Sequence, residues 1–236
     1  MAELKPIYNS EITCPVCEKK IRISKVRSKF IKLIKQDDDY CPHYETINPI
    51  YYEAWVCNHC GYAAHNTVFD QITRYERQAV HEKISKRWTS RSFSGERNWE
   101  QALEAFKLVL YNLQVREAQY SQLAKICLRI AWLYRYEGII EEDINYSKFA
   151  FDFYKKAYTN EDLRDNLLDE YTLMYIVGVL ANRIGLKDEA MRWFSRLISI
   201  SSNPKERDKI PAGLLDNTRD QIYTIRTEMK EEGNKE

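Results

Sequence analysis

Over residues 12–64 apolar positions alternate with polar ones or cluster in short runs, whereas from about residue 66 onward they recur at steps of three and four. The change of period marks a change of architecture. In the first stretch Ile21 and Ile23 alternate with Lys20, Arg22 and Ser24, and a second basic, apolar run spans Phe30 to Lys35; together they predict a hairpin. After a polar break at Gln36-Asp37-Asp38-Asp39 and a turn at Asn48-Pro49, the β-branched and aromatic run from Ile50 to Val56 predicts another strand. Beyond it, helices are predicted near 66–87, 98–118, 119–137, 142–159, 168–184, 187–200 and 211–229. Leu103, Phe106, Leu110 and Leu113 form one apolar stripe, and Leu123, Ile126, Ile130 and Leu133 another. Two domains are expected, 1–65 and 66–236.

The helical part shows self-similarity at the period of the tetratricopeptide repeat, about 34 residues. In residues 171–204 Gly178 takes the small-residue position of the first helix, with Ala181 near its packing position. Gly185 falls at the turn, Ala190, Phe194 and Leu197 line the second helix, and Pro204 stands near the closing proline. A weaker copy uses Ala131, Tyr134, Gly138, Ala150, Tyr154 and Ala157, with extra residues from Glu141 to Asn145, and a partial one retains Gly95, Ala102, Phe106 and Val109. Small residues let paired helices approach, and the aromatic fills the space to the next repeat. The competing reading is an irregular helical bundle, because one copy alone holds full register.

Composition supports a folded, helix-rich chain of two domains: 236 residues, 44% hydrophobic, with 7 Gly and 6 Pro. Its 36 Lys and Arg nearly cancel 35 Asp and Glu, so no whole-chain field draws in nucleic acid or an anionic membrane. The N-terminal residues lack a signal-peptide core and no run reaches membrane-spanning length, so a cytoplasmic location is expected. In that reducing compartment, paired Cys-x-x-Cys spacings indicate metal or redox chemistry in preference to disulfides.

Cys14-Pro15-Val16-Cys17 and Cys57-Asn58-His59-Cys60-Gly61 each suit a knuckle whose turn aims both sulfurs at one ion. Cys14, Cys17, Cys57 and Cys60 therefore form the expected metal site, holding one structural zinc ion, with iron as the alternative. The closed tetrathiolate leaves no position for substrate. It would staple a segment too short for a comfortable core of its own. Cys41 and His43 lie between the pairs as auxiliary ligands in a lesser reading, while His59 and His65 are candidates for hydrogen bonds to sulfur. Cys127 reads as a small buried hydrophobe in an apolar helix. The fold class expected is thus mainly α: an N-terminal β-rich zinc ribbon followed by a tetratricopeptide-like α-α repeat domain.

Nothing in the sequence supplies a nucleophile with its base, a phosphate-binding loop or paired carboxylates, so no enzymatic activity is expected. Stacked helix pairs predict a groove for a protein or peptide partner. Tyr120, Tyr134, Tyr136, Tyr154, Tyr158, Tyr171 and Tyr175 are its candidate aromatics, unless they belong to the core. One alternative is nucleic-acid binding through the basic stretch Lys19 to Lys35, with Lys20, Arg22, Lys25 and Arg27 on phosphates. Nine basic against eight acidic residues in 1–64 weaken it. Another is a redox or metal-responsive switch at the thiolates.

Several segments resemble the bacterial domain-of-unknown-function family 2225: Ile12-Thr13-Cys14-Pro15-Val16-Cys17, Asp39-Tyr40, Asn48-Pro49, Tyr52 to Cys57, and Cys60-Gly61-Tyr62-Ala63-Ala64. Phe93 to Arg97, Leu128 to Tyr134 and Trp193 to Arg196 extend the likeness along the chain. The resemblance implies a metal-binding N-terminal segment joined to a tetratricopeptide-like region in a bacterial protein, with no catalytic residues to assign. Glu18 stands where many knuckles carry glycine.

Overall fold

The structure, a computed structural model, describes residues 4–163 and 169–233. It is mainly helical, with small antiparallel strand pairs towards the N-terminus. The chain divides into two compact units whose members are not contiguous in sequence.

The first unit comprises the residues up to 36, then 41–118 and 129–139. Its strands are β1 (Ile7–Thr13), β2 (Lys20–Val26), β3 (Leu33–Gln36), β4 (Pro42–Tyr44), β5 (Ala54–Val56) and β6 (Ala63–His65), paired β1–β2, β3–β4 and β5–β6. This corrects the predicted hairpin. The strand carrying Ile21 and Ile23 pairs with Ile7–Thr13 instead of the Phe30 to Lys35 run, because the first cysteine knuckle closes β1 onto β2 with a bond from Cys14 N to Lys19 O. Leu33 and Ile34 lie 54% and 65% exposed on β3, so their apolar character marked no core position.

Residues 66–87 also depart from the single helix expected. A 3₁₀ turn (Asn66–Val68) is followed by helix α1 (Arg74–Lys83) and a second 3₁₀ turn (Ser85–Arg87). The break is local chemistry: Thr73 and Glu76 form a capping box, which starts a helix at Arg74. Helix α2 (Trp99–Val115) begins on an equivalent box between Asn98 and Gln101. Between them the chain from Trp88 to Asn98 runs without regular structure, anchored by Arg97. Its buried guanidinium donates to the carbonyls of Tyr51, Ala54 and Phe93. One core joins the strands to the helices: Ile21, Ile23, Trp55, Tyr62 and Phe69 pack with Ile72, Val80, Ile84 and Val115 around Cys14, Cys57 and Cys60.

The second unit comprises residues 37–40, 119–128 and those from 140 onward. The early part of α3 (Tyr120–Tyr136) belongs to it, with α4 (Ile140–Asn160), α5 (Glu170–Arg183), α6 (Lys187–Ile200), the single turn α7 (Pro204–Arg207) and α8 (Leu214–Gly233). Residue 168, the predicted start of the fifth helix, lies outside the described residues. Helix α5 is the unit's centre, buried from Leu173 to Ala181. It packs on α6 through Gly178, where a methyl group would stand 2.5 Å from Phe194 Cε1. Gly178→Ala is therefore expected to destabilise this unit by ~2 kcal/mol through overpacking, read as an earlier unfolding transition for α5 and α6 by hydrogen exchange. Buried Asp143 pairs with Arg183, which fixes α4 against α5 at a second point.

Candidate metal centre

Each knuckle is a short loop closed on itself. In the first, Glu18 N donates to Cys14 O and Cys14 N to Lys19 O, both at 2.9 Å. In the second, Gly61 N donates to Cys57 O at 2.9 Å and Cys57 N to Tyr62 O at 2.7 Å. The amides of Val16 and Cys17 point at the Cys14 sulfur, and those of His59 and Cys60 at the Cys57 sulfur. The two loops are thus copies of one geometry. The residue after each second cysteine must turn left-handed, and Glu18 does so at φ 60° where Gly61 does so at 74°. Glu18 satisfies the turn at the steric cost an L-residue carries there. Glu18→Gly is expected to leave the sulfurs in place and change stability by less than ~1 kcal/mol, towards greater stability, in thermal unfolding of the metal-loaded chain.

The knuckles meet with Cys14 Sγ 3.7 Å from Cys60 Sγ and Cys17 Sγ 3.6 Å from Cys57 Sγ. All four sulfurs lie within 4.8 Å of one another. A tetrahedral ion at about 2.3 Å from each sulfur would separate them by about 3.8 Å, so this donor set fits a metal such as zinc. A disulfide does not fit, because its sulfurs bond at about 2.05 Å. In the metal-free chain the sulfurs compete for protons. The neighbouring sulfurs of Cys14 and Cys60 hold the Cys57 thiol low, while Cys14 and Cys60 are pushed up, chiefly by their sulfur neighbours Cys57 and Cys14 respectively. A divalent cation would relieve that competition by taking all four as thiolates.

The other predicted residues are placed elsewhere. Cys41 and His43 are not in the four-cysteine group. Buried Cys41 donates to Tyr136 Oη at 3.5 Å, and His43 stacks edge-on against the same ring. They were separable from the site only once the knuckles' pairing was known. His59 Nε2 reaches Lys20 O at 3.3 Å, not a sulfur. His65 is buried between Thr67 Oγ1 and Glu53 Oε2, 2.8 and 3.2 Å away. Cys127 is buried, with its thiol raised to about 12 by burial. Of the basic residues, Lys25 sits over the Trp55 ring and Arg27 over Tyr8, while Lys20 and Arg22 are exposed and Arg22 faces Glu11 across the hairpin.

Residues that spacing did not reveal bind the centre to its surroundings. Trp88 Nε1 donates to Asn58 O at 2.9 Å, and buried Asn112 Nδ2 donates to Gly61 O at 3.1 Å. Arg116 stacks over Tyr62, whose hydroxyl donates to Phe69 O. Glu53 accepts from Arg129 Nε at 2.9 Å and contacts His65. Burial pushes its carboxyl up, but the His65 and Arg129 contacts outweigh that and hold it at about 2. A depressed carboxyl contributes stability that is present above its unfolded value of 4.5 and is lost as pH falls towards about 2. Glu53→Gln should therefore flatten the loss of stability over that window, measured by denaturant titration at stepped pH.

Fold and site together define a mainly helical protein with a four-cysteine group able to hold a metal ion such as zinc, set in paired strands. No helix among the described residues is long and apolar enough to cross a membrane. Over residues 7–225 the chain matches the family described as "Uncharacterized protein conserved in bacteria (DUF2225)", and it belongs to that family. No curated protein and no solved structure matches it.

Proposed function

We propose that this chain is a non-catalytic, cytoplasmic scaffold in which one structural zinc ion, held by Cys14, Cys17, Cys57 and Cys60, secures a zinc-ribbon-like module, and tetratricopeptide-like helices present a groove to a protein or peptide partner. The observation that carries the metal half is the pair of matched knuckles with sulfurs 3.6 and 3.7 Å apart. Four thiolates fill a tetrahedral shell, so the ion would act by linking β1–β2 to β5–β6 and would have no open position for a substrate. Gly178 beneath Phe194 and left-handed Gly185 at the α5–α6 turn support the repeat half, since they stand at the repeat's small-residue and turn positions. The engagement of Lys25 and Arg27 within the chain argues for a protein partner over nucleic acid.

The test is metal analysis of freshly purified chain by native mass spectrometry. One zinc per chain, lost in Cys57→Ser with Cys60→Ser, is the expected result. Retained metal in that variant, or a visible iron-thiolate absorption, would overturn the assignment. For the scaffold half, zinc-loaded chain that recovers no protein from native bacterial lysate would count against a partner groove.

A further inference from the structure

Two carbonyls of the second knuckle are occupied by side chains from well down the chain. Asn58 O takes Trp88 Nε1, and Gly61 O takes Asn112 Nδ2 on α2. The Trp88 ring also lies against the bare Cα of Gly61, close enough that a methyl group there would be 2.5 Å from Cε3. Trp88 opens the irregular segment that ends at Arg97, and the same segment is pinned to the strands twice more. Gly95 N donates to Ser24 Oγ on β2 at 2.6 Å, and Arg97 donates to Tyr51 O and Ala54 O, both at 2.9 Å. The Trp88 pin rests on the backbone of the second knuckle and the Gly95 pin on the Ser24 hydroxyl of β2, the strand that the first knuckle closes onto β1.

We infer that Trp88 and Asn112 are positioning residues of the metal centre, and that the segment from Trp88 to Arg97 is a strap latched by an occupied four-cysteine site. This rests on the zinc reading proposed above. The physical reason is reciprocity. Bonds that hold Asn58 and Gly61 in the knuckle geometry raise metal retention, so by linkage the bound metal must hold Trp88 and Asn112 in place to the same degree. When the metal leaves, the loop Cys57 to Gly61 keeps the His59 to Lys20 bond and shared apolar contacts with β1–β2 but loses the link through the sulfurs, and the Trp88 and Gly95 pins loosen together. The strap then opens with the rest of the first unit, while the helices of the second unit keep their own core.

Trypsin reads the strap directly. Lys86, Arg87 and Arg91 are exposed in sequence positions within or beside it, whereas Arg97 is buried. Full-length chain, with zinc content verified, is digested before and after zinc removal by a chelator, and cut sites are identified by mass spectrometry. Zinc removal is expected to speed cleavage after Arg91 and Arg97 by at least about tenfold, with sites in α5 and α6 unchanged. In parallel, Trp88→Phe keeps a ring on Gly61 but removes the N–H, and Asn112→Leu removes the amide. Each should speed zinc transfer to a colorimetric chelator by roughly fivefold, as loss of one buried hydrogen bond implies. Phe194→Leu, a destabilising change in the second unit, should leave that rate alone. Strap cleavage indifferent to verified zinc removal, or zinc release in both variants equal to that of the unaltered chain, would overturn the inference while leaving the zinc site standing. A purified chain without zinc would overturn the metal reading, and the latch with it.

Discussion

Removing the metal, by chelation or by Cys57→Ser with Cys60→Ser, is expected to unfold more than the strand pairs: α1 and α2 should lose their protection as well. The sulfurs of Cys14, Cys57 and Cys60 stand inside the same core as Val80 and Ile84 of the α1 region and Val115 at the end of α2. No boundary in that core lets strands melt while the helices packed on them survive. A structural zinc contributes on the order of 10 kcal/mol or more to a small module. That matches or exceeds the whole stability of a typical domain, about 5–15 kcal/mol. Hydrogen exchange resolved by peptide provides the measurement: amides of Arg74–Lys83 and Trp99–Val115 should become unprotected on metal loss, and those of α5 and α6 should not. Helices α1 and α2 that stay protected without metal would show that the first unit folds around its apolar residues alone.

That expectation departs from what the linear sequence suggests, where the change of period near residue 66 divides ribbon from helices. The cysteines were legible because a tetrahedral ion imposes its own spacing on the chain, and two Cys-x-x-Cys pairs satisfy it whatever lies between. The helices after Asn98 were legible for a similar reason, since burying one face of a helix forces a three-to-four period. Pairing of the strands was not. Hairpins β1–β2 and β5–β6 are closed by cysteine knuckles in place of Asn-Gly or Pro-Gly turns, so the usual punctuation is missing, and Glu18 occupies a left-handed position that its identity conceals. Arg97, Trp88 and Asn112 were illegible because such a donor is identified by the carbonyl it meets, and each meets a carbonyl 30 to 51 positions away in sequence. The capping box at Thr73 and Glu76 could have been read, and it would have broken the helix expected over 66–87. Tyrosine was ambiguous for a different reason, since it suits a core and a groove equally. Tyr134, Tyr154, Tyr171 and Tyr175 prove buried, whereas Tyr120 is exposed and stacks on Phe153.

Gly61→Ala should be among the most damaging single substitutions in the first unit, although it adds one methyl group. At φ 74° an L-residue incurs about 1 kcal/mol. Glu18 shows that the knuckle tolerates that cost at the equivalent position, so backbone strain alone predicts a mild effect. The surroundings make the difference. The new Cβ would lie 2.5 and 2.6 Å from Trp88 Cε3 and Cδ2 and 3.0 Å from Ile84 Cγ2; Trp88 is half-buried and Ile84 is buried. Moving Trp88 away breaks its bond to Asn58 O; moving Gly61 away disturbs Cys60 and the bond from Asn112. A cost of about 3–4 kcal/mol follows from strain and overpacking together. The two parts can be separated, because Trp88→Leu shortens the obstructing side chain. If the clash is the larger part, Gly61→Ala should cost about 1–2 kcal/mol less in the Trp88→Leu background than alone, measured as the coupling energy of a double-mutant cycle in denaturant unfolding of zinc-loaded protein. Additive costs would place the damage in the backbone turn, and would show that the Trp88 ring can shift without disturbing the knuckle.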